Sequence, residues 1–96
     1  MISVTVRSAM HIAKVFGSKR IDVELNKGDN IRTLLRHLSD KYGEAFDEHI
    51  CEQNGEIAEG KFSVLLNGRS IFAYDGFNCV LSDGDDVLIL PAVSGG

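Results

Sequence analysis

The chain has 96 residues, of which 44% are hydrophobic and 25% charged, with 14 acidic residues against 10 lysines and arginines. This length and composition fit one globular domain and exclude a disordered chain or a disulfide scaffold. The net charge of −4 argues against a nucleic-acid-binding domain, which would be basic. No apolar run approaches a membrane span, and the alternating start is unlike a signal peptide. We therefore expect a small, soluble, cytoplasmic domain that binds neither nucleic acid nor membrane.

The charge is unevenly distributed along the chain. Residues 1–42 hold eight basic residues against four acidic ones, whereas residues 43–96 hold two against ten. Complementary charge can orient a protein partner, although the same charges also serve simply to solvate a surface. The asymmetry therefore permits a docking surface without identifying the partner.

The first 25 residues predict a β-hairpin. Residues 2–7 and 19–25 each alternate between apolar and polar side chains, which is typical of strands with one wet face. The intervening residues 8–18 are interpreted as a loop. The two strands are expected to pair antiparallel.

The next segment predicts the main helix. Asp29 or Asn30 can cap its start, and Gly43 is a natural stop. Between them an apolar stripe recurs at helical spacing and indicates core packing. The stripe consists of Ile31, Leu34, Leu35, Leu38 and Tyr42.

The second half predicts a short helical turn and three further strands. The turn covers residues 45–50, and an irregular acidic stretch follows it to Gly60. Residues 62–66 are predicted to form a strand that turns at Asn67-Gly68, a strong hairpin signal, and returns over residues 70–73. After a brief connector, residues 78–81, the sequence Ser82-Asp83-Gly84-Asp85 has the composition of a turn.

The last strand is predicted to be the central one. Residues 86–90 are nearly all apolar, which favours burial on both sides, and Pro91 tends to end the strand because it has no amide hydrogen. The complete pattern predicts an α+β fold in which one main helix packs on a mixed sheet.

Signatures of a self-contained active site are missing. There is no G-x-G-x-x-G and no P-loop, and the two cysteines, Cys51 and Cys79, form no C-x-x-C. We expect both to be free thiols, buried or half-buried, in a reducing compartment. No metal site is expected, because the histidines lack ligand spacing and the acidic group at residues 83–86 lacks a twelve-residue calcium loop.

The end of the chain is the strongest candidate for chemistry. Gly95 and Gly96 have no Cβ, so this backbone can enter a narrow channel and present its terminal carboxylate to a second enzyme. A frayed terminus would also tolerate two glycines. A carboxylate is a poor electrophile, but an acyl-adenylate made with ATP is a good one.

Taken together, these motifs resemble the ThiS/MoaD family of sulfur-carrier proteins, in its larger archaeal-type form. The resemblance rests on the capped helix, Leu66-Asn67-Gly68-Arg69, and the ending D-G-D…P-x-V-[small]-G-G. It implies a ubiquitin-like β-grasp domain over residues 1–91 and a flexible tail over residues 92–96. It also implies that an E1-like enzyme uses ATP to adenylate Gly96, which is then converted to a thiocarboxylate. The protein itself would be a carrier without a bound cofactor, and not an enzyme.

The resemblance leaves the recipient of the sulfur open. Molybdopterin synthesis is the first choice, and the chain would then be the small subunit of a synthase-type complex. The ending Leu-Pro-Ala-Val-small-Gly-Gly also resembles the carrier that serves cysteine synthesis, and thiamine synthesis is the weaker choice. A ubiquitin-like modifier that forms isopeptide bonds would begin with the same adenylate. A plain binding module is the remaining alternative.

Two surfaces are expected to contact the partners of the carrier, which are the E1-like enzyme and a sulfur-accepting synthase subunit. The first surface is the tail, comprising Pro91, Ala92, Val93, Ser94 and Gly95 before the reactive Gly96. The second is the sheet face near the tail, with Leu90, Phe72 and Phe77 as apolar anchors. Phe72 and Phe77 are also plausible core residues, because the face that each occupies depends on the strand register.

Overall fold

The computed structural model describes residues 1–92 and consists of a five-stranded sheet with helices. The sheet order is β2-β1-β5-β3-β4, and only the β1–β5 pair is parallel. Short 3₁₀ turns cover Glu59–Lys61, Ile71–Ala73 and Gly76–Asn78. The elements in chain order are β1 (Ile2–Ser8), α1 (Met10–Phe16), β2 (Arg20–Leu25), α2 (Ile31–Tyr42), α3 (Glu44–Ile50), β3 (Phe62–Leu66), β4 (Arg69–Ser70) and β5 (Asp86–Pro91).

The hydrophobic core lies between one face of the sheet and the three helices. Alternate residues of the two central strands, such as Val6 and Ile89, are fully buried on this face. The apolar stripe of α2 covers them, as the helical spacing predicted. The opposite face of the sheet carries no helix among the described residues, and we call it the open face. The α+β fold with a mixed sheet is therefore confirmed.

The start and end of α2 follow the local chemistry of the sequence. The side chain of Asn30 accepts a hydrogen bond from the backbone N–H of Thr33 at 2.9 Å and so satisfies one free donor of the first turn. Gly43 ends the helix, and its N–H donates to the carbonyl of Ser39. The predicted helix and its caps are confirmed, and α3 confirms the short helical turn predicted over residues 45–50.

The loop predicted for residues 8–18 is wrong, because this segment contains α1. The helix buries Ile12 and Phe16, which lie four residues apart and therefore share one face. Gly17 ends it in the left-handed conformation with φ 74°, a region that glycine adopts without strain. Ala9, at the N-terminal boundary, provides no side-chain cap, so the usual start signal is missing.

Two further predictions need correction in the second half. The hairpin at Asn67-Gly68 is confirmed, but the returning strand is only Arg69–Ser70, and residues 71–73 form a 3₁₀ turn that buries Ile71. Strand β5 is central, as predicted, but it is fully buried on one face only. On the open face its leucines, Leu88 and Leu90, are half-buried.

One buried polar group has no partner within residues 1–92. The hydroxyl of Ser8 lies on the core face at 5% exposure and makes no hydrogen bond, although its backbone N–H donates to Lys19. A buried donor without a partner costs about 1–3 kcal/mol.

We expect Ser8→Ala to raise the free energy of unfolding by up to about 1 kcal/mol, because the substitution removes the unsatisfied hydroxyl and keeps the backbone bond. Urea denaturation of both proteins measures the change. Ser63→Ala is the control, since Ser63 is exposed and should have little effect. Clear destabilisation by Ser8→Ala would show that the hydroxyl has a partner, such as a buried water.

Candidate docking surface and tail root

The C-terminal tail leaves the fold from a fixed root at the end of β5. Pro91 pairs with Phe62 of β3, and the N–H of Ala92 donates to the carbonyl of Lys61 at 2.8 Å. The ammonium of Lys61 in turn donates to the carbonyl of Cys51, at the C-terminal end of α3, at 2.8 Å. These bonds tie the last described residue to both the sheet and α3. Of the predicted tail, Pro91 and Ala92 therefore form the root, while Val93, Ser94, Gly95 and Gly96 lie outside the described residues.

The three predicted apolar anchors do not share one surface. Phe77 is only 7% exposed and belongs to the core, where its ring lies 6.2 Å from that of Phe62. Phe72 is 57% exposed and rests edge-on against Phe77 at 5.5 Å. Leu90 pairs with Ser63 on the open face, opposite the core residues of β3 and β5. Of these anchors, only Leu90 lies on the open face next to the tail.

The open face holds two apolar residues that the sequence analysis missed. Leu65 of β3 pairs directly with Leu88 of β5, and both are half-buried. Together with Leu90 they form a cluster that we call the open-face leucines. The run of apolar residues over β5 was the available signal, since it placed apolar side chains on both faces of a strand of which only one face belongs to the core. Partly exposed leucines grouped on a sheet face can serve as anchors for a partner.

An ion pair borders the open-face leucines. The guanidinium of Arg7 on β1 donates two hydrogen bonds to the carboxylate of Asp86 on β5, at 2.8 and 2.7 Å. The hydrogen bond from Arg7 holds the pKa of Asp86 below its usual value, and the charge of Arg7 adds to this effect. Asp86 correspondingly raises the pKa of Arg7. The pair crosses the parallel β1–β5 contact on the same face as Leu88 and lies beside the open-face leucines.

The cysteines and histidines are further candidates for chemistry within residues 1–92. Cys51 is half-buried and Cys79 is buried, and both are free thiols, as predicted. Burial, with a smaller contribution from Asp47, raises the pKa of the Cys51 thiol, which favours the unreactive protonated form. The rings of His11 and His49 lie 6.1 Å apart, but nowhere in residues 1–92 do three metal-ligating side chains converge.

The carboxylates of the acidic turn before β5 accept hydrogen bonds from backbone N–H groups of the turn and of β1. The carboxylate of Asp83 accepts the backbone N–H of Ser3 at 2.8 Å, and that of Asp85 accepts the N–H of Ser82 at 2.8 Å. These bonds confirm the predicted turn. No helix within residues 1–92 is long and apolar enough to cross a membrane.

Comparison with known proteins gives the family. The family model described as "ThiS family" matches residues 12–96, which include the open-face leucines and the tail. The chain belongs to the ThiS family. A relative from Haloferax volcanii, small archaeal modifier protein 3, is 32% identical over 77 residues, covering 80% of this chain and 76% of the relative. A protein of Archaeoglobus fulgidus named as a sulfur carrier is 29% identical, covering 80% of this chain and 94% of its own length.

A solved structure confirms the fold of this ThiS-family chain. Small archaeal modifier protein 1 from Methanosarcina acetivorans superposes with a TM-score of 0.80 at 28% identity, covering 100% of this chain and 98% of the other. The fold is therefore the ubiquitin-like β-grasp that the family resemblance implied. The relatives are carriers and modifiers, so this chain is a sulfur carrier or ubiquitin-like modifier and not an enzyme.

We expect Asp86→Asn to lower the melting temperature slightly at about pH 7 and to have no effect in strong acid. The pKa of Asp86 is lowered by folding, so its pairing stabilises the fold above the unfolded pKa of about 4 and is lost as the pH falls through the folded value. The effect is small because the two side chains remain 49% and 32% exposed.

Thermal unfolding from about pH 7 down to about pH 2 measures the difference between the two proteins. Asp75→Asn is the matched control, since the side chain of Asp75 caps no backbone group and forms no ion pair within residues 1–92. A difference between Asp86→Asn and the native protein that does not change with pH would contradict the assignment to this ion pair.

Proposed function

We propose that the chain is a sulfur carrier whose reactive group is the carboxylate of Gly96. In this proposal an E1-like enzyme transfers the AMP group of ATP to the carboxylate and releases pyrophosphate. Hydrosulfide, or an equivalent donor at the oxidation level of sulfide, then attacks the acyl carbon and displaces AMP. The product is a thiocarboxylate, and a second enzyme takes the sulfur from it.

The observation that carries this proposal is the fixed root of the tail beside an apolar docking surface. The four residues after Ala92 can extend roughly 13 Å, enough to reach into a partner's active site while the domain remains outside. The hydrogen bond from Ala92 to Lys61 fixes the start of the tail, and the open-face leucines beside it provide an apolar surface that a partner can bind. The family and the named carrier relative support the same chemistry.

The recipient that we favour is a molybdopterin synthase, in which the chain would be the small subunit. The alternative recipients of sulfur from the same thiocarboxylate are the enzymes of cysteine synthesis and of thiamine synthesis. Each choice is tested by mixing the thiocarboxylated chain with the corresponding acceptor enzyme and measuring which one restores the carboxylate at Gly96.

Protein modification is the second candidate function, because two similar proteins are named small archaeal modifier proteins. In this reaction a lysine amine of a target, rather than a sulfur nucleophile, displaces AMP and forms an isopeptide bond. Both reactions require the same adenylate, so they differ only in the nucleophile that arrives.

We expect the intact mass of the chain to increase by the replacement of one oxygen by sulfur after incubation with ATP, the activating enzyme and a sulfide donor. A chain lacking Gly96, and a chain extended beyond Gly96, should both remain unchanged while keeping the fold. Higher-mass conjugates without the sulfur shift would favour the modifier. Conversion of the extended chain would contradict chemistry at the terminal carboxylate.

We expect Leu90→Gln to weaken binding to the activating enzyme by about tenfold, because it removes an apolar anchor from the docking surface. The measurement is the concentration of carrier that half-saturates ATP–pyrophosphate exchange. Phe72→Gln is the matched control, since Phe72 is also exposed and apolar but does not lie with the open-face leucines. If Phe72→Gln weakened binding more than Leu90→Gln, the activating enzyme would contact the surface around Phe72, which would contradict a docking surface at the open-face leucines.

A further inference from the structure

Strand β2 has one free edge whose hydrogen-bonding groups can be assigned from the register. The N–H of Ser8 donates to the carbonyl of Lys19 at 2.9 Å, so these two residues form a hydrogen-bonded pair of the β1–β2 ladder. Such pairs alternate along an antiparallel ladder. The backbone N–H and carbonyl groups therefore point toward β1 at residues 21, 23 and 25. At residues 20, 22 and 24 they point away from β1, toward the free edge.

The outward-facing backbone groups of one of these three residues, Arg20, already have a hydrogen-bond partner. The hydroxyl of Ser18 donates to the carbonyl of Arg20 at 2.9 Å and accepts the N–H of Arg20 at 3.2 Å. No described strand other than β1 pairs with β2. The edge is thus closed at Arg20 and presents the N–H and carbonyl groups of Asp22 and Glu24.

The side chains around this open stretch alternate in character. Asp22 and Glu24 are exposed on the open face, and Thr5 and Arg20 provide only long contacts to Asp22, at 3.3 and 3.8 Å. On the other face, Ile21 is half-buried against the core and Val23 is buried. A strand added at this edge would place alternate residues opposite the two acids and the residues between them beside Ile21 and Val23.

The two acids also determine what can be added. A second copy of the chain that used the same free backbone groups would bring acidic side chains directly opposite one another, which is unfavourable. Basic side chains at those positions would instead pair with Asp22 and Glu24. Apolar side chains between them would extend the core face.

We propose that the free edge of β2 binds an extended segment of a partner protein by strand addition, and that this segment alternates basic and apolar residues. The backbone groups of Asp22 and Glu24 provide the hydrogen bonds, and their carboxylates select the charge. This surface is separate from the open-face leucines and from the tail. The inference does not depend on chemistry at Gly96, because binding is measured without ATP or an activating enzyme.

The test uses the full chain and two short blocked peptides, one alternating lysine with valine and the other alternating glutamate with valine. We expect the lysine peptide to shift the backbone amide resonances of Asp22 and Glu24 and to slow their hydrogen exchange. The glutamate peptide should bind about tenfold more weakly, because each cross-strand charge pair changes from attraction to repulsion.

Charge variants make the test specific to the edge. The double variant Asp22→Lys with Glu24→Lys should reverse the preference between the peptides. The double variant Asp22→Asn with Glu24→Gln removes both carboxylates without introducing positive charge and should abolish the preference. Asp40→Lys with Asp75→Lys changes the net charge equally at exposed sites away from β2 and should keep the native preference. Equal binding of both peptides, resonance shifts confined to other surfaces or the absence of binding would overturn the proposal.

Discussion

The structure depends on the position of β5 between β1 and β3. The parallel pairing with β1 joins the end of the chain to its beginning, and the antiparallel pairing with β3 closes the other side. One face of β5 buries Val87 and Ile89 in the core, while the other leaves Leu88 and Leu90 half-buried on the open face. The same strand then ends at the root of the tail. One six-residue element therefore contributes to the core, carries the leucines of the proposed docking surface and ends at the root of the tail.

The sequence predicted those elements whose side chains follow a clear period. The alternation in β1 and β2 and the helical stripe of α2 each bury one face, so the pattern and the structure agree. Helix α1 was missed because it has seven residues and no side-chain cap, and only the Ile12–Phe16 spacing before Gly17 indicated it. The predicted apolar anchors could not be grouped correctly, because the register of β5 decides the face of Leu90 and the 3₁₀ turn that buries Phe77 has no clear period in the sequence.

The charges of the chain have different uses on different surfaces. Asp86 is bound to Arg7 and contributes to the β1–β5 contact, whereas Asp83 and Asp85 hold the turn that precedes β5. Asp22 and Glu24 remain exposed at the free edge of β2, where they select the charge of an added strand. Some acids of the second half, Asp83, Asp85 and Asp86, are therefore structural, whereas Asp22 and Glu24 of the first half remain exposed.

The role of β5 is tested most directly by native-state hydrogen exchange of the backbone amides from Val87 to Leu90. If this strand holds both the core and the root of the tail, these amides should exchange only through global unfolding, with the same free energy as that measured by urea. The outward-facing amides of Asp22 and Glu24 should exchange much faster in the same experiment. Exchange of the β5 amides through local opening, with protection no greater than that of α1, would contradict a tail that is anchored by the most stable part of the fold.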